Sequence, residues 1–198
     1  MDTAGYFVTD IECTGFRPGD NSMLSFATVA VTAEGEELDR FEAVLAELPG
    51  ADWNPGTRRW FESSEPEALA AATAEPRDPA AVMAGFVEFV TRITGPRVFV
   101  ASPLAFDGLW IDYYLRRFTP LGLLQGLYEV DGLFDHALCL RSYTAAVTGR
   151  DFADAGPAAL PAAWLGDVPH THRAIDDALG YAHLLGETFR RSGVVKAE

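Results

Sequence analysis

The chain has 198 residues, of which 48% are apolar and 12% aromatic, a composition that excludes an intrinsically disordered protein and suffices for one domain with a substantial core. Its 15 basic and 29 acidic side chains give a formal net charge of −14; coating long nucleic acid through its phosphates needs a basic stripe, so that role is disfavoured. The 2 cysteines, Cys13 and Cys139, suit a reducing compartment better than a disulfide-stapled secreted domain, and with no run of about 18 apolar residues the expectation is a cytoplasmic protein without a membrane span.

In chain order, Tyr6-Phe7-Val8 leads into Asp10-Ile11-Glu12 and reads as a short buried strand. Met23 to Thr32 and Leu38 to Leu45 form a hairpin pattern around Glu34-Gly35. Pro49 to Gly56 breaks the periodicity, and Ser64-Glu65-Pro66-Glu67 has the capping-box spacing ahead of an alanine-rich helix. Asp78-Pro79 opens another helix and Gly95-Pro96 stops it. Val98 to Ala101 is a fourth strand, followed by a helix near Phe106 to Phe118. The pattern then predicts a helix over about Phe134 to Val147 capped by Asp135, a loop from Arg150 to Pro169 long enough to suggest a functional role, and a last helix from about Arg173 to Arg191. Strands come first and then alternate with helices, so the fold class is α/β with a mixed central sheet, in a single domain over residues 1–198.

Four acids and a histidine stand out. Asp10 and Glu12 are two apart on a strand, so both carboxylates leave the same face. That face is either a solvated strand edge or a pair of hard oxygen ligands of the kind that suits Mg²⁺ or Mn²⁺. The core-forming Phe7, Val8 and Ile11 and the turn at Thr14-Gly15 favour the second reading. Asp107 falls in the first turn of a helix, where an acid is ordinary dipole chemistry. His170 and His172 precede the last helix, where caps and loops place polar residues by default. On that helix the apolar residues from Ala174 to Phe189 define one broad face. Asp177 lies roughly 100° from its centre and Asp176 about 160° away, so Asp177 is the boundary residue and Asp176 the solvent-facing one.

Together these positions resemble the DEDD superfamily of 3′–5′ exonucleases in its histidine-bearing branch, the group that includes proofreading exonuclease subunits, RNase T and oligoribonuclease. Asp10-Ile11-Glu12-Cys13-Thr14-Gly15 stands where that group has Asp-x-Glu-x-Thr-Gly. Ala105-Phe106-Asp107 supplies the second acid, and His172 to Asp177 the His-x₄-Asp element. The order of the three motifs spans nearly the whole chain. Two departures are visible: Ser102-Pro103 replaces the His-Asn that many relatives carry before the second aspartate, and Cys13 replaces a commoner threonine.

The resemblance implies an RNase H-like exonuclease fold and a metal-dependent 3′–5′ exonuclease acting on short or single-stranded RNA or DNA. It implies two divalent cations, Mg²⁺ or Mn²⁺, held by Asp10, Glu12, Asp107 and Asp177, with His172 taking the proton from the attacking water. Trp60 and Phe106 are candidates for stacking on a 3′ terminal base, with core packing as the alternative for each. Thr14, Gly15 and Ser25 are candidates for contact with the terminal nucleotide. Two rivals remain at this point: a small-nucleotide or dinucleotide hydrolase on the same scaffold, and a catalytically silent nucleic-acid-binding module. A homodimer is compatible with the apolar fraction.

Overall fold

The computed structural model describes residues 4–126 and 131–195; the first residues, read for a targeting segment, lie partly outside them. Strand β1 (Gly5–Cys13) pairs antiparallel with β2 (Met23–Val31), which pairs antiparallel with β3 (Glu37–Val44). Helices α1 (Pro55–Ser64), α2 (Pro66–Ala72) and α3 (Pro79–Arg92) follow. Then come β4 (Arg97–Ala101), α4 (Leu104–Phe118), the short strands β5 (Gly122–Leu124) and β6 (Gly132–Phe134), and β7 (His136–Cys139). Helix α5 (Leu140–Thr148), three 3₁₀ turns between Phe152 and Leu165, and α6 (Ala174–Ser192) complete the chain. The main sheet has the order β3-β2-β1-β4-β7, with β4 and β7 parallel to β1, while β5 and β6 form a separate parallel pair. No helix among the described residues is long and apolar enough to cross a membrane.

β1 is central and buried on both faces, so its alternation separates two cores rather than core from solvent. Phe7, Ile11 and Cys13 join the aromatic layer of Phe26, Phe86, Phe89, Phe99, Trp110 and Phe134 beneath α3 and α4. Val8, on the opposite face, joins the mostly aliphatic layer of Val29, Val100, Ala178, Leu184 and Leu185 beneath α6. Tyr6 shares that second face and packs edge-on against Phe189 with ring centroids 4.8 Å apart. Asp10 and Glu12, two and four residues beyond Val8, therefore leave β1 on the α6 side, and the α6 layer ends where they begin.

Several expected elements differ. The helix expected over Phe134 to Val147 is instead the end of β6, then β7, then the shorter α5. Its leucines and alanine favour a helix locally, but pairing of Val98 to Ala101 with His136 to Cys139 draws the segment into the sheet. Asp135 is accordingly no helix cap: one carboxylate oxygen accepts from the Arg97 backbone N–H at 2.8 Å, tying β6 to β4. Ser64 does not cap α2 either, because it ends α1, and the preceding cap position of α2 is Glu65, which makes no side-chain cap bond. The stretch read only as a break contains the start of α1, capped by Asn54, whose side chain accepts from Gly56 and Thr57 N–H groups at 2.9 and 3.1 Å. Asp78 does cap α3, accepting from Ala81 N–H at 3.1 Å.

Candidate active site

Four carboxylates converge at one end of the sheet. Asp10 and Glu12 come from the end of β1, Asp107 from the first turn of α4 and Asp177 from the first turn of α6. All four are buried, Asp107 and Asp177 to 3% exposure each. One oxygen from each of Asp10, Glu12 and Asp177 falls within 4.8 Å of the others. Among the described residues no arginine or lysine forms an ion pair with Asp10, Glu12 or Asp107, and the only salt-bridge partner of Asp177 is His170.

Such an arrangement is costly for the bare protein, because burial disfavours the charged form and so do like charges nearby. Burial is the main cause that pushes Asp10 well above the usual carboxylate range, and Asp107, Glu12 and Asp177 push in the same direction. Glu12 is also driven well up, first by burial and then by Asp177 and Asp107. Burial raises Asp107 to about 7, although its own backbone N–H and that of Ile11 pull the other way. A buried set of hard oxygen donors with no arginine or lysine among them fits divalent cations of the Mg²⁺ or Mn²⁺ type. Asp10, Glu12 and Asp177 form the core of that set, and Asp107 adds its charge to the same field.

The wheel's distinction on α6 matches the positions found. Asp177 is buried, whereas Asp176 is half-buried, accepts from the Thr171 hydroxyl at 2.7 Å and lies 3.8 Å from the Arg173 guanidinium. The turn before α6 hooks over the helix start. The Thr171 backbone N–H donates to Asp177 Oδ1 at 3.2 Å, and His170 Nδ1 lies 2.8 Å from that same oxygen. The hydrogen bond to Asp177 raises His170 above the usual imidazole range, against a lowering from partial burial. His172 occupies the left-handed region at φ 54°, a conformation costing on the order of 1 kcal/mol for a non-glycine residue. Its ring meets the edge of Trp60 at 4.9 Å and that of His170 at 4.4 Å. The sequence singled out His172; the partner that holds Asp177 in this structure is His170, which the His-x₄-Asp spacing passes over.

Beside the carboxylates opens a cleft of about 400 Å³ lined by Ile11, Glu12, Cys13, Gly15, Phe16, Gly56, Thr57, Trp60, Phe61 and Phe106. Trp60 and Phe106 thus lie in its wall, with Trp60 36% exposed. Phe16 was not anticipated; it is 65% exposed at the cleft rim, and its signal in the sequence was an apolar residue placed directly after the Thr14-Gly15 turn. Gly15 lines the cleft as well, and a Cβ there would collide with the Asn21 side-chain amide. Thr14 and Ser25, the other two candidates for contact with a terminal nucleotide, lie outside the cleft lining. The Thr14 hydroxyl is fully buried, accepts from Ser22 N–H at 2.8 Å and donates to the Asp52 carbonyl at 3.3 Å, so the fold consumes it. Ser25 is buried as the sheet neighbour of Glu12 and lies outside the cleft lining. The Thr14 carbonyl accepts from Asn54 N–H at 2.8 Å, which fixes the start of α1, and hence Trp60, relative to the first carboxylates.

No protein-family model and no curated protein sequence matches this chain. Solved structures do. Escherichia coli exonuclease I in complex with a dT13 oligonucleotide aligns over 98% of this chain and 42% of its own with a TM-score of 0.67 at 15% identity. The zinc-ion-bound form of the E. coli exonuclease I–ssDNA complex aligns over 97% of this chain and 41% of its own, with a TM-score of 0.63 at 16% identity. A product-bound exonuclease I aligns over 96% of this chain and 44% of its own, with a TM-score of 0.62 at 13% identity. The chain therefore spans about two-fifths of the length of these proteins. At that identity the likeness establishes architecture: the five-stranded mixed sheet and its flanking helices are the RNase H-like fold of exonuclease I.

Proposed function

We propose that this protein is a metal-dependent 3′–5′ exonuclease of the DEDD type, acting on single-stranded or short nucleic acid. The observation that carries the reading is the convergence of four buried acids that no arginine or lysine pairs among the described residues, beside a cleft walled by aromatic rings. Asp10, Glu12, Asp107 and Asp177 would hold two divalent cations, Mg²⁺ or Mn²⁺. Held there, such ions neutralise phosphoryl charge, help ionise the attacking water and stabilise the leaving 3′ oxygen.

The chain's own residues account for the remaining requirements. Phe16, Trp60 and Phe106 offer flat apolar surface to a terminal base, and each stacked base contributes about 1–3 kcal/mol. His172 projects from a half-exposed turn between Trp60 and the carboxylates. It would accept a proton from the attacking water and pass it to solvent, a task for which imidazole is suited at neutral pH. The acidic surface repels long polyanions, and a cleft of about 400 Å³ offers room for an end rather than a long tract. Together they favour short substrates or an end-only grip.

The test is a 5′-labelled oligonucleotide incubated with Mg²⁺ or Mn²⁺, with RNA, DNA and dinucleotide arms of matched sequence. A stepwise ladder that disappears in Asp10→Ala supports the exonuclease. Cleavage confined to the dinucleotide arm moves the reading to a small-nucleotide hydrolase. No cleavage with any metal or substrate leaves a silent binding module.

A further inference from the structure

The turn ahead of α6 gathers a second set of metal-binding groups. One ring nitrogen each from His170 and His172 and one carboxylate oxygen of Asp177 lie within 4.8 Å of one another. The rings are 4.4 Å apart and inclined at 66°, so they converge edge to face rather than stack. The His170 side chain is 41% exposed, whereas Asp177 is buried, so the imidazole side of this group faces solvent while its carboxylate is shared with the buried cluster. The donor chemistry also differs. Asp10, Glu12 and Asp177 offer oxygen alone, which suits Mg²⁺ and Mn²⁺, whereas two imidazoles and one carboxylate suit Zn²⁺ and other late first-row ions.

We propose that His170, His172 and Asp177 form a transition-metal site, distinct from the all-carboxylate set, whose occupation by Zn²⁺ switches hydrolysis off. The inhibitory consequence rests on the roles given above to Asp177 and His172. Zn²⁺ at this site takes a lone pair from His172, which then cannot accept a proton, and it occupies an oxygen of Asp177 that the ions held with Asp10 and Glu12 would otherwise use.

The geometry is close to what tetrahedral Zn²⁺ needs. Metal–ligand bonds of about 2.0–2.1 Å place neighbouring ligand atoms roughly 3.3 Å apart. The 2.8 Å contact between His170 Nδ1 and Asp177 Oδ1 must therefore open slightly, and His172 must close in. Thr171 anchors the turn through its bonds to Asp176 and Asp177, so the adjustment falls to the two imidazole side chains. A neutral His170 that ligates through Nδ1 carries its proton on Nε2, while an imidazolium releases one proton to solvent. Water fills the fourth position.

His170 separates this site from the carboxylate one, and His170→Gln is the informative variant: glutamine can still donate a hydrogen bond to Asp177 but cannot replace imidazole as a ligand. Zn²⁺ alone and Mn²⁺ alone are titrated calorimetrically into the full chain, with visible absorption of Co²⁺ as an optical probe of nitrogen ligation. His170→Gln is expected to weaken Zn²⁺ binding at least about tenfold and Mn²⁺ binding less than about threefold, because only Zn²⁺ uses the imidazole. It should also bleach the Co²⁺ bands and raise the Zn²⁺ concentration that half-inhibits the Mn²⁺-dependent reaction. Asp10→Asn is expected to lose Mn²⁺ binding and keep Zn²⁺ affinity within about threefold. Equal Zn²⁺ affinities in wild type and His170→Gln overturn the site, as does loss of both ions together in Asp10→Asn. Zn²⁺ binding that depends on His170, in a wild-type chain that binds no Mn²⁺, supports the site while overturning the carboxylate reading.

Discussion

The two halves of the candidate site are built on opposite principles. Asp10 and Glu12 sit on a central strand buried on both faces, and Asp107 and Asp177 on first helical turns packed against that strand. None of them can move without disturbing a core layer. His170 and His172 sit on a turn of partly exposed residues, one of them in the left-handed backbone region, where a rotation disturbs little. Under the proposed function the difference separates two jobs. Groups that would hold ions must stay fixed against mutual repulsion, as the buried carboxylates are, and a group that would receive a proton and hand it to solvent must reach both, as a side chain at the edge can.

The largest expected effect breaks the fixed half. Asp10→Asn should reduce turnover about 1,000-fold or more, since metal-assisted stabilisation amounts to several kcal/mol. The same variant should unfold at a higher temperature than wild type without divalent ions, because it removes a carboxyl whose ionisation is opposed by burial and by its acidic neighbours. A turnover loss accompanied by lower metal-free stability would show that the carboxylate is a structural part rather than a strained ligand. The exposed half gives the next effect. His172→Ala should lower kcat about 100-fold, within the usual range for general acid–base assistance, while the Mn²⁺ concentration that half-activates the proposed reaction changes little. Parallel losses in both would erase the division of labour.

The sequence exposed these halves unequally. Three of the fixed carboxylates were legible because strand alternation and the helical wheel convert position into direction: Asp10 and Glu12 share a face, and Asp177 rather than Asp176 meets the core; Asp107, an ordinary first-turn acid by position, entered only through the family resemblance. Long-range pairing was less visible. β7 carries residues that favour a helix locally, and only its parallel neighbour β4 makes it a strand. Thr14 looked available beside the first acids, yet the chain folds back so that Ser22 and Asp52 occupy its hydroxyl. His170 was passed over for a similar reason. Its six-residue reach to Asp177 depends on the turn at Thr171 and His172, a backbone path that spacing along a straight helix does not describe.

The cleft beside the two halves gives a smaller effect. Trp60 touches both sides of the comparison, contributing wall to the cleft and meeting the His172 ring. Trp60→Ala should raise KM about tenfold through lost base stacking, with a smaller decrease in kcat from the lost support of His172. A decrease confined to kcat would place Trp60 with the proton-handling turn instead of the substrate wall.

The smallest effect is a dependence of stability on pH to which the fixed half contributes and, in the same direction, His170, which its bond to Asp177 raises. Asp107 has a folded value near 7 against an ordinary 3.8, and Asp10 and Glu12 are displaced in the same direction. Between about pH 4 and pH 7 the native state therefore keeps protons that the unfolded chain has released, and stability falls as pH rises through that window. For Asp107 the fall levels off above about pH 7, once both states are ionised. The Tm of the metal-free protein should drop by several degrees between pH 5 and pH 8, on the scale of roughly 2–4 °C per kcal/mol for a chain of this length. Asp107→Asn should flatten the slope. Mn²⁺ should raise Tm more at pH 8 than at pH 5, because the ionised carboxylates that destabilise the bare fold are the form that binds it. A Tm that rises with pH in the absence of metal would mean that the four acids have found compensation within the protein, and the case for ions between them would fail with it.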